Sequence, residues 1–214
     1  MTILITGASR GIGGALLSHY RHKGTAAFGT TRRPEGDLLP LDVTQPDSVK
    51  ELARRLNGLP LDLLVCNAGV YADKGQGLEA GYAPHLWAQS FAVNVTGVFL
   101  TVQALLPNLR AAKGKVAIIS SSMGSDARAP GGSYIYRASK AAALNLGRNL
   151  AVDLKPEGVA VGIYHPGWVK TDMGGPQAEI SAAQSVAGLT DRFAALSLET
   201  TGCFESYDGT TMPF

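Results

Sequence analysis

With 214 residues, 45% hydrophobic and 17% charged, the chain is long enough to bury a substantial core and too apolar for a disordered tail. Its 19 basic and 17 acidic residues nearly cancel, which leaves no electrostatic case for a nucleic-acid partner. Two cysteines, Cys66 and Cys203, exclude a disulfide framework and read as buried thiols in a reducing compartment. No apolar run reaches the ~18 to 20 residues of a membrane span and the N-terminus lacks a secretory pattern, so a cytoplasmic location without a membrane partner is expected.

Short β-branched or apolar runs alternate with stretches of helical period, the pattern of a parallel sheet covered on both faces. Strands are predicted at 3–6, 26–31, 38–41, 61–66, 115–120, 159–164 and 202–207. The first is followed by a helix with Ile12, Leu16, Leu17 and Tyr20 on one side and Gly24 as its stop. Val49, Leu52, Ala53 and Leu56 recur at i, i+3, i+4 and i+7, placing a second apolar helical face on the sheet. Ser181 and Gln184 form a capping-box pattern ahead of Val186, Leu189, Phe193 and Leu196, the last helix. No linker, repeat or low-complexity tract divides the chain, so residues 1–214 are expected to form one doubly wound, three-layer α/β (Rossmann) domain with a seven-stranded, mainly parallel sheet. Gly- or Pro-rich loops at 70–83, 122–133 and 170–181 follow strand C-termini, the edge at which such sheets bind ligands.

The first strand runs into Thr6-Gly7-Ala8-Ser9-Arg10-Gly11-Ile12-Gly13. Three glycines between strand and helix permit a tight bend and close backbone approach, and they set phosphates at a helix N-terminus, where free N–H groups and the dipole favour anions. The spacing departs from G-x-G-x-x-G by two extra residues between the first pair, and the alternative is a glycine turn with a structural role alone.

TGxxxGxG at this position resembles the short-chain dehydrogenase/reductase family, and further motifs follow in order. Cys66-Asn67-Ala68-Gly69 is similar to the family's NNAG, departing at Cys66. Asn94 resembles its catalytic Asn, and Tyr136-Arg137-Ala138-Ser139-Lys140 matches YxxxK. Alignment on Gly124 makes Ser121 the catalytic serine equivalent, although the run Ser120-Ser121-Ser122 leaves either neighbour as an alternative; strand alternation would turn both away from Ser121. Pro166-Gly167, with Val169 and Thr171 beyond, resembles the segment that holds the nicotinamide end, and Asp42-Val43 the pair beside the adenine. Gly174-Gly175 and Tyr207-Asp208-Gly209 are similar to the branch containing C-factor and sniffer-type carbonyl reductases. The resemblance implies strand order 3-2-1-4-5-6-7, pairing of subunits into a homodimer or homotetramer through the helices bearing Asn94 and Tyr136, and a water bound by Asn94 that links Lys140 to solvent.

The chemistry also follows from the residues. Tyr136 and Lys140 are four apart and share a helical face, so the ammonium reaches the phenol's surroundings. A neighbouring cation, with an oxidised nicotinamide, is expected to lower the phenol from ~10 toward the working pH of a general acid/base. Tyr136 would exchange a proton with a carbonyl or alcohol oxygen that Ser121 hydrogen-bonds. Tyr134, which lacks a Lys at +4, is expected to pack or to line the pocket.

Cofactor choice rests on the end of the second strand. An acid there would bind the 2′-hydroxyl of NAD, whereas Thr31 is followed by Arg32 and Arg33, which suit a 2′-phosphate, as does Arg10 in the glycine turn. The alternative makes the arginines solvated charges, with Glu35 or Asp37 supplying the acid and NAD(H) as cofactor. The expected cofactor set is Gly7, Ser9, Arg10, Gly11, Ile12, Gly13, Arg32, Asp42, Val43, Asn67, Ala68, Gly69, Tyr136, Lys140, Pro166, Gly167, Val169 and Thr171.

No metal-ligand spacing connects His19, His22, His85, His165, Cys66 and Cys203, so no metal is expected, and Ser121 lacks the G-x-S-x-G elbow of a hydrolase. His165 reads as a strand-end residue, and Trp168 as packing or bordering the substrate. The expected activity is NADP(H)-dependent transfer of hydride to or from a small-molecule carbonyl or secondary alcohol. A rival reading is a dinucleotide-binding signalling protein of the C-factor type with incidental turnover; a pure binder has no chemical need for Asn94, Ser121, Tyr136 and Lys140 together.

Overall fold

The computed structural model describes residues 1–33 and 36–214. Seven strands, β1 (Thr2–Ile5), β2 (Ala26–Thr31), β3 (Leu39–Pro40), β4 (Leu63–Cys66), β5 (Lys115–Ile119), β6 (Ala160–His165) and β7 (Phe204–Ser206), form one parallel sheet in the order β3-β2-β1-β4-β5-β6-β7. This is the expected order. The third strand is shorter than predicted because it is an edge strand and Pro40, paired with Thr31, has no N–H for the ladder.

Alternate residues of each central strand feed two separate cores. Ile3, Ile5, Leu63, Val65, Ala117 and Ile119 pack under α1 (Gly11–His22) and α7 (Ala182–Ala195). Leu4, Leu64, Cys66, Val116, Ile118 and Val161 face the opposite way, under α2 (Pro46–Arg55), α4 (Gly97–Ala104), α5 (Leu106–Ala112) and α6 (Tyr134–Leu154). The strands therefore read as continuous apolar runs, as a sheet covered on both faces requires. A further helix, α3 (Pro84–Phe91), leads through a π-helical turn, Ala92–Thr96, into α4. Among the described residues no single helix is long and apolar enough to cross a membrane.

The predicted helix signals are realised side chain by side chain. Val49, Leu52 and Leu56 are buried in α2's core and Ala53 packs against it. At α7 the Ser181 hydroxyl accepts from the Gln184 amide, while Gln184 Oε1 accepts from the Ser181 amide, closing the capping box. Of the two free thiols only Cys66 is fully buried; Cys203 sits at the start of the edge strand's approach and is half-buried, a correction to the expectation for both. His165 ends β6 as predicted.

Candidate active site

The C-terminal ends of β1, β2, β4, β5 and β6 open into a cleft of about 530 Å³. At its floor the glycine turn enters α1, whose N-terminus carries no side-chain cap and no acidic residue in its first turn. Gly13 is a packing position: a Cβ there would collide with the Gly7 carbonyl and the Asn67 amide. Asn67 staples this turn to β4, donating to Thr6 O at 2.9 Å and Gly7 O at 3.1 Å, while Thr6 Oγ1 accepts from the amides of Asn67 and Ala68 at 3.0 Å each.

Of the residues predicted for the cofactor, Gly7, Ser9, Arg10, Gly11, Ile12, Arg32, Asp42, Val43, Asn67, Ala68, Gly69, Tyr136, Lys140, Pro166 and Thr171 line the cleft. Gly13, Gly167 and Val169 lie behind its wall: Gly13 in the turn packing, Gly167 against Ile180 and Tyr207, and Val169 buried and bridged to Ile180. Arg33, expected beside Arg32 for a 2′-phosphate, lines it as well, and Ser120, Asp172 and Met173 join from outside the expected cofactor set. The acid alternatives divide. Asp37 pairs with Arg21 at 2.8 Å and is not among the cleft's lining residues, and Glu35 lies outside the described residues.

At the inner end of the cleft, Tyr136 and Lys140 project from the first two turns of α6, both buried. Gly124, in the 3₁₀ turn Ser122–Gly124, brings the end of β5 against this helix; a Cβ would stand 2.6 Å from the Lys140 carbonyl carbon. That approach separates the three serines. Ser120 Oγ donates to Lys140 O at 3.1 Å and lines the cleft, Ser122 has already left the strand, and Ser121, which is not among the lining residues, accepts from Met123 N at 3.1 Å and tempers the rise of the Tyr136 phenol. The predicted alternation thus ends at Ile119, where the strand stops.

The electrostatics of the chain's own groups run against the lowering expected from Lys140. Burial pushes the Tyr136 phenol up to about 12, with Tyr71 and Asp73 adding to the rise and Ser121 opposing it. Lys140 does not hold the phenol down, because burial lowers the ammonium itself to about 8 and its Nζ donates to Ile119 O at 2.9 Å. It stands 5.7 Å from the phenol ring centroid, in cation–π range. Asn94, in the π-helical turn, is engaged at both ends of its amide: Oδ1 accepts from Val70 N at 2.9 Å, and Nδ2 donates to Val70 O at 2.9 Å and Ser139 Oγ at 3.0 Å.

Three contributors had no signal in the sequence beyond their place in the loop 70–83. Tyr71 stacks on Tyr136 at 4.2 Å, Asp73 accepts from the first-turn amides of α6, and Lys74 donates to Met173 O at 2.9 Å across the cleft mouth. Tyr134 packs edge-on against Tyr82 at 5.1 Å, and Trp168 donates to Gly174 O while its ring stays half-exposed. Among the described residues no group of three His, Cys, Asp or Glu is placed to hold a metal.

Residues 1–181 match the short chain dehydrogenase family. The chain is 41% identical over 157 residues to C-signal of Myxococcus xanthus, covering 72% of this chain and 93% of that protein. It is 34% identical over 225 residues to 1-hydroxy-2-glutathionyl-2-methyl-3-butene dehydrogenase of Rhodococcus, covering 98% and 97%. Among solved structures, NADPH-bound carbonyl reductase from chicken fatty liver superposes with a TM-score of 0.90 at 30% identity, covering 100% of this chain and 98% of that one. The carbonyl reductase Sniffer of D. melanogaster does so with a TM-score of 0.93 at 28% identity, covering 100% and 99%.

Proposed function

Because the chain belongs to the short chain dehydrogenase family, and is on that ground an oxidoreductase, we propose that it is an NADP(H)-dependent reductase of small carbonyls, or a dehydrogenase of the corresponding alcohols. The observation that carries this reading is the joining of two features by one cleft: an uncapped helix N-terminus at the glycine turn, and a buried Tyr136 phenol attended by Ser121 and Lys140. The uncapped α1 N-terminus suits a pyrophosphate, and the exposed Arg32 and Arg33 at the end of β2 suit a 2′-phosphate. NADPH, when bound, supplies the hydride.

The chain's own residues handle the oxygen and its proton. Ser121 donates a hydrogen bond to the substrate oxygen, and Tyr136 Oη gives that oxygen its proton in reduction or takes it back in oxidation. A phenol raised to about 12 stays protonated at neutral pH, which favours its use as an acid. Lys140, with its ammonium lowered to about 8, exchanges a proton near neutrality and resupplies the phenol's surroundings. Asn94 clamps Val70 and keeps Gly69 beside the Lys140 ammonium; the water its family relatives are expected to hold would sit there.

We place the whole of residues 1–214 in one cofactor-binding domain acting in the cytoplasm. Pairing of copies through the helices bearing Asn94 and Tyr136 is in keeping with the exposed Trp87, Phe99 and Val152. The signalling-module alternative is not favoured, since a binder needs no buried phenol with a serine hydroxyl and an ammonium around it. The test is NADPH oxidation followed by absorbance over a panel of aldehydes and ketones, with Tyr136→Phe in parallel. Oxidation lost by ~10²-fold or more in Tyr136→Phe, with NADPH still quenching protein fluorescence, supports the reading. Tight NADPH binding without turnover of any carbonyl overturns it.

A further inference from the structure

Among the described residues the reaction scheme leaves one fully buried carboxylate without a role. Asp73 is 0% exposed, and a buried carboxylate is costly unless something compensates its charge. Its partners in the structure are backbone amides: Oδ2 accepts from Ile135 N at 2.9 Å, and Oδ1 from Tyr136 N at 3.1 Å. These are the first amides of α6, a 21-residue helix whose dipole presents positive charge at that end.

The helix cannot cap itself. The chain enters α6 through Gly131, Gly132 and Ser133, all left-handed with φ of +87°, +69° and +49°. Ser133 therefore stands at the N-cap position without making the cap hydrogen bond, and its hydroxyl pairs instead with the Tyr71 phenol. The missing cap arrives from a residue 62 positions earlier. The same loop supplies Tyr71, whose ring lies 4.2 Å from that of Tyr136 at an interplanar angle of 20°. Tyr136 is thus held twice from 70–83, by its backbone amide and by its ring.

We propose that Asp73 is a positioning residue for Tyr136: by capping α6 in trans it fixes the turn that carries the phenol, and it sets a carboxylate beside the reacting group. The proposal rests on Tyr136 being the acid/base. The titratable and polar groups facing the phenol are Tyr71 and Asp73 from the loop after β4, Ser121 from the end of β5 and Lys140 from α6. Asp73 pushes the phenol upward in this set, so removal of its charge shifts the phenol down.

The experiment compares Asp73→Asn with wild type and Tyr136→Phe. Asparagine keeps the shape and one acceptor but not the charge. The expected result is a fall in kcat for carbonyl reduction of about ten- to a hundredfold, with the NADPH Kd from fluorescence changed by less than about twofold. The alkaline limb of the kcat profile should move to lower pH by about half a unit or more, because reduction needs the protonated phenol. Unchanged kcat and an unmoved alkaline limb, with lost thermal stability alone, would mean an ordinary helix cap and overturn the proposal. Should Asp73→Asn not fold, Asp73→Ser offers a short neutral cap, and wild-type hydrogen exchange gives an independent reading. The Ile135 and Tyr136 amides should exchange at least about tenfold more slowly than those of Ala182 and Ala183 in the first turn of α7. Equal rates would overturn the cap itself. An active Tyr136→Phe would overturn the functional reading and this proposal with it, whereas an inactive Tyr136→Phe beside an unaltered Asp73→Asn overturns the proposal alone.

Discussion

Arg10 and Asp172 meet across the mouth of the cleft at 2.7 Å, tying the glycine turn after β1 to the segment that follows β6. Both side chains are 76% exposed, so the pair adds little to stability, about 0 to 1 kcal/mol. Its consequence lies in ligand binding. Its place in the glycine turn suits Arg10 to a 2′-phosphate, and in the structure a carboxylate holds it. Asp172→Asn frees the guanidinium and removes a negative charge from the entrance. We expect the NADPH Kd to tighten by about two- to fivefold with NADH little changed, the difference shrinking as salt rises. Fluorescence titration of the two cofactors at low and high salt measures this, and an identical change for both would show that Arg10 does not reach the phosphate.

Arg32 and Arg33 line the cleft where β2 ends, with Asp37 drawn away to Arg21. Arg32→Asp should therefore weaken NADPH by about tenfold or more and leave NADH within a factor of about three. Equal losses in a side-by-side titration would place Arg32 off the phosphate.

Gly13 and Gly14 are adjacent but occupy different surroundings. A methyl at Gly13 meets the Gly7 carbonyl and the Asn67 amide, both parts of the stapled turn, whereas at Gly14 the nearest atom is Ala8 O at 3.3 Å. Gly13→Ala should lose about 1 to 3 kcal/mol of stability and most cofactor affinity. Gly14→Ala should be close to neutral, since relief of the helical glycine penalty offsets the tight contact. Urea denaturation and NADPH titration of the pair decide it; a benign Gly13→Ala would show that the turn relaxes.

Lys140 gives stability a pH dependence of definite sign. Its ammonium is lowered by burial from 10.5 to about 8, so between those values the unfolded chain holds more protons than the folded one. Stability from this group rises with pH through that window, with a slope approaching about 1.4 kcal/mol per unit. Tyr136 acts in the opposite sense at higher pH: raised from 10.0 to about 12, its contribution is full below pH 10 and is lost as pH climbs to 12. Urea denaturation of wild type and Lys140→Met at pH 7.5, 9 and 10 should show a rise in the wild type that the variant lacks. Parallel profiles would mean that Lys140 titrates normally.

Much of the fold was legible because local sequence and burial agree. A strand covered on both faces must be apolar throughout, so β1, β4, β5 and β6 announce themselves, and Pro40 already marks the limit of β3. The site was legible where its members are joined by short spacing, as in the glycine turn or in Tyr136 and Lys140. Asp73, Tyr71 and Asp172 carried no such signature. Each acts on a partner 62, 65 and 162 residues away, respectively, through a contact that no periodicity encodes.

By itself the sequence determined the alternation of strands and helices, the turn beneath the dinucleotide site and the tyrosine–lysine pair, since all of these depend on backbone geometry over a few residues. Only the tertiary structure decided how the three serines are disposed against α6, because Gly124's approach to that helix comes after the strand's alternation has ended. It also decided the direction in which Tyr136 and Lys140 titrate. Proximity in sequence predicts that a cation lowers a phenol, but the low dielectric around both groups disfavours each charged form, and burial is the leading cause of the shift at each.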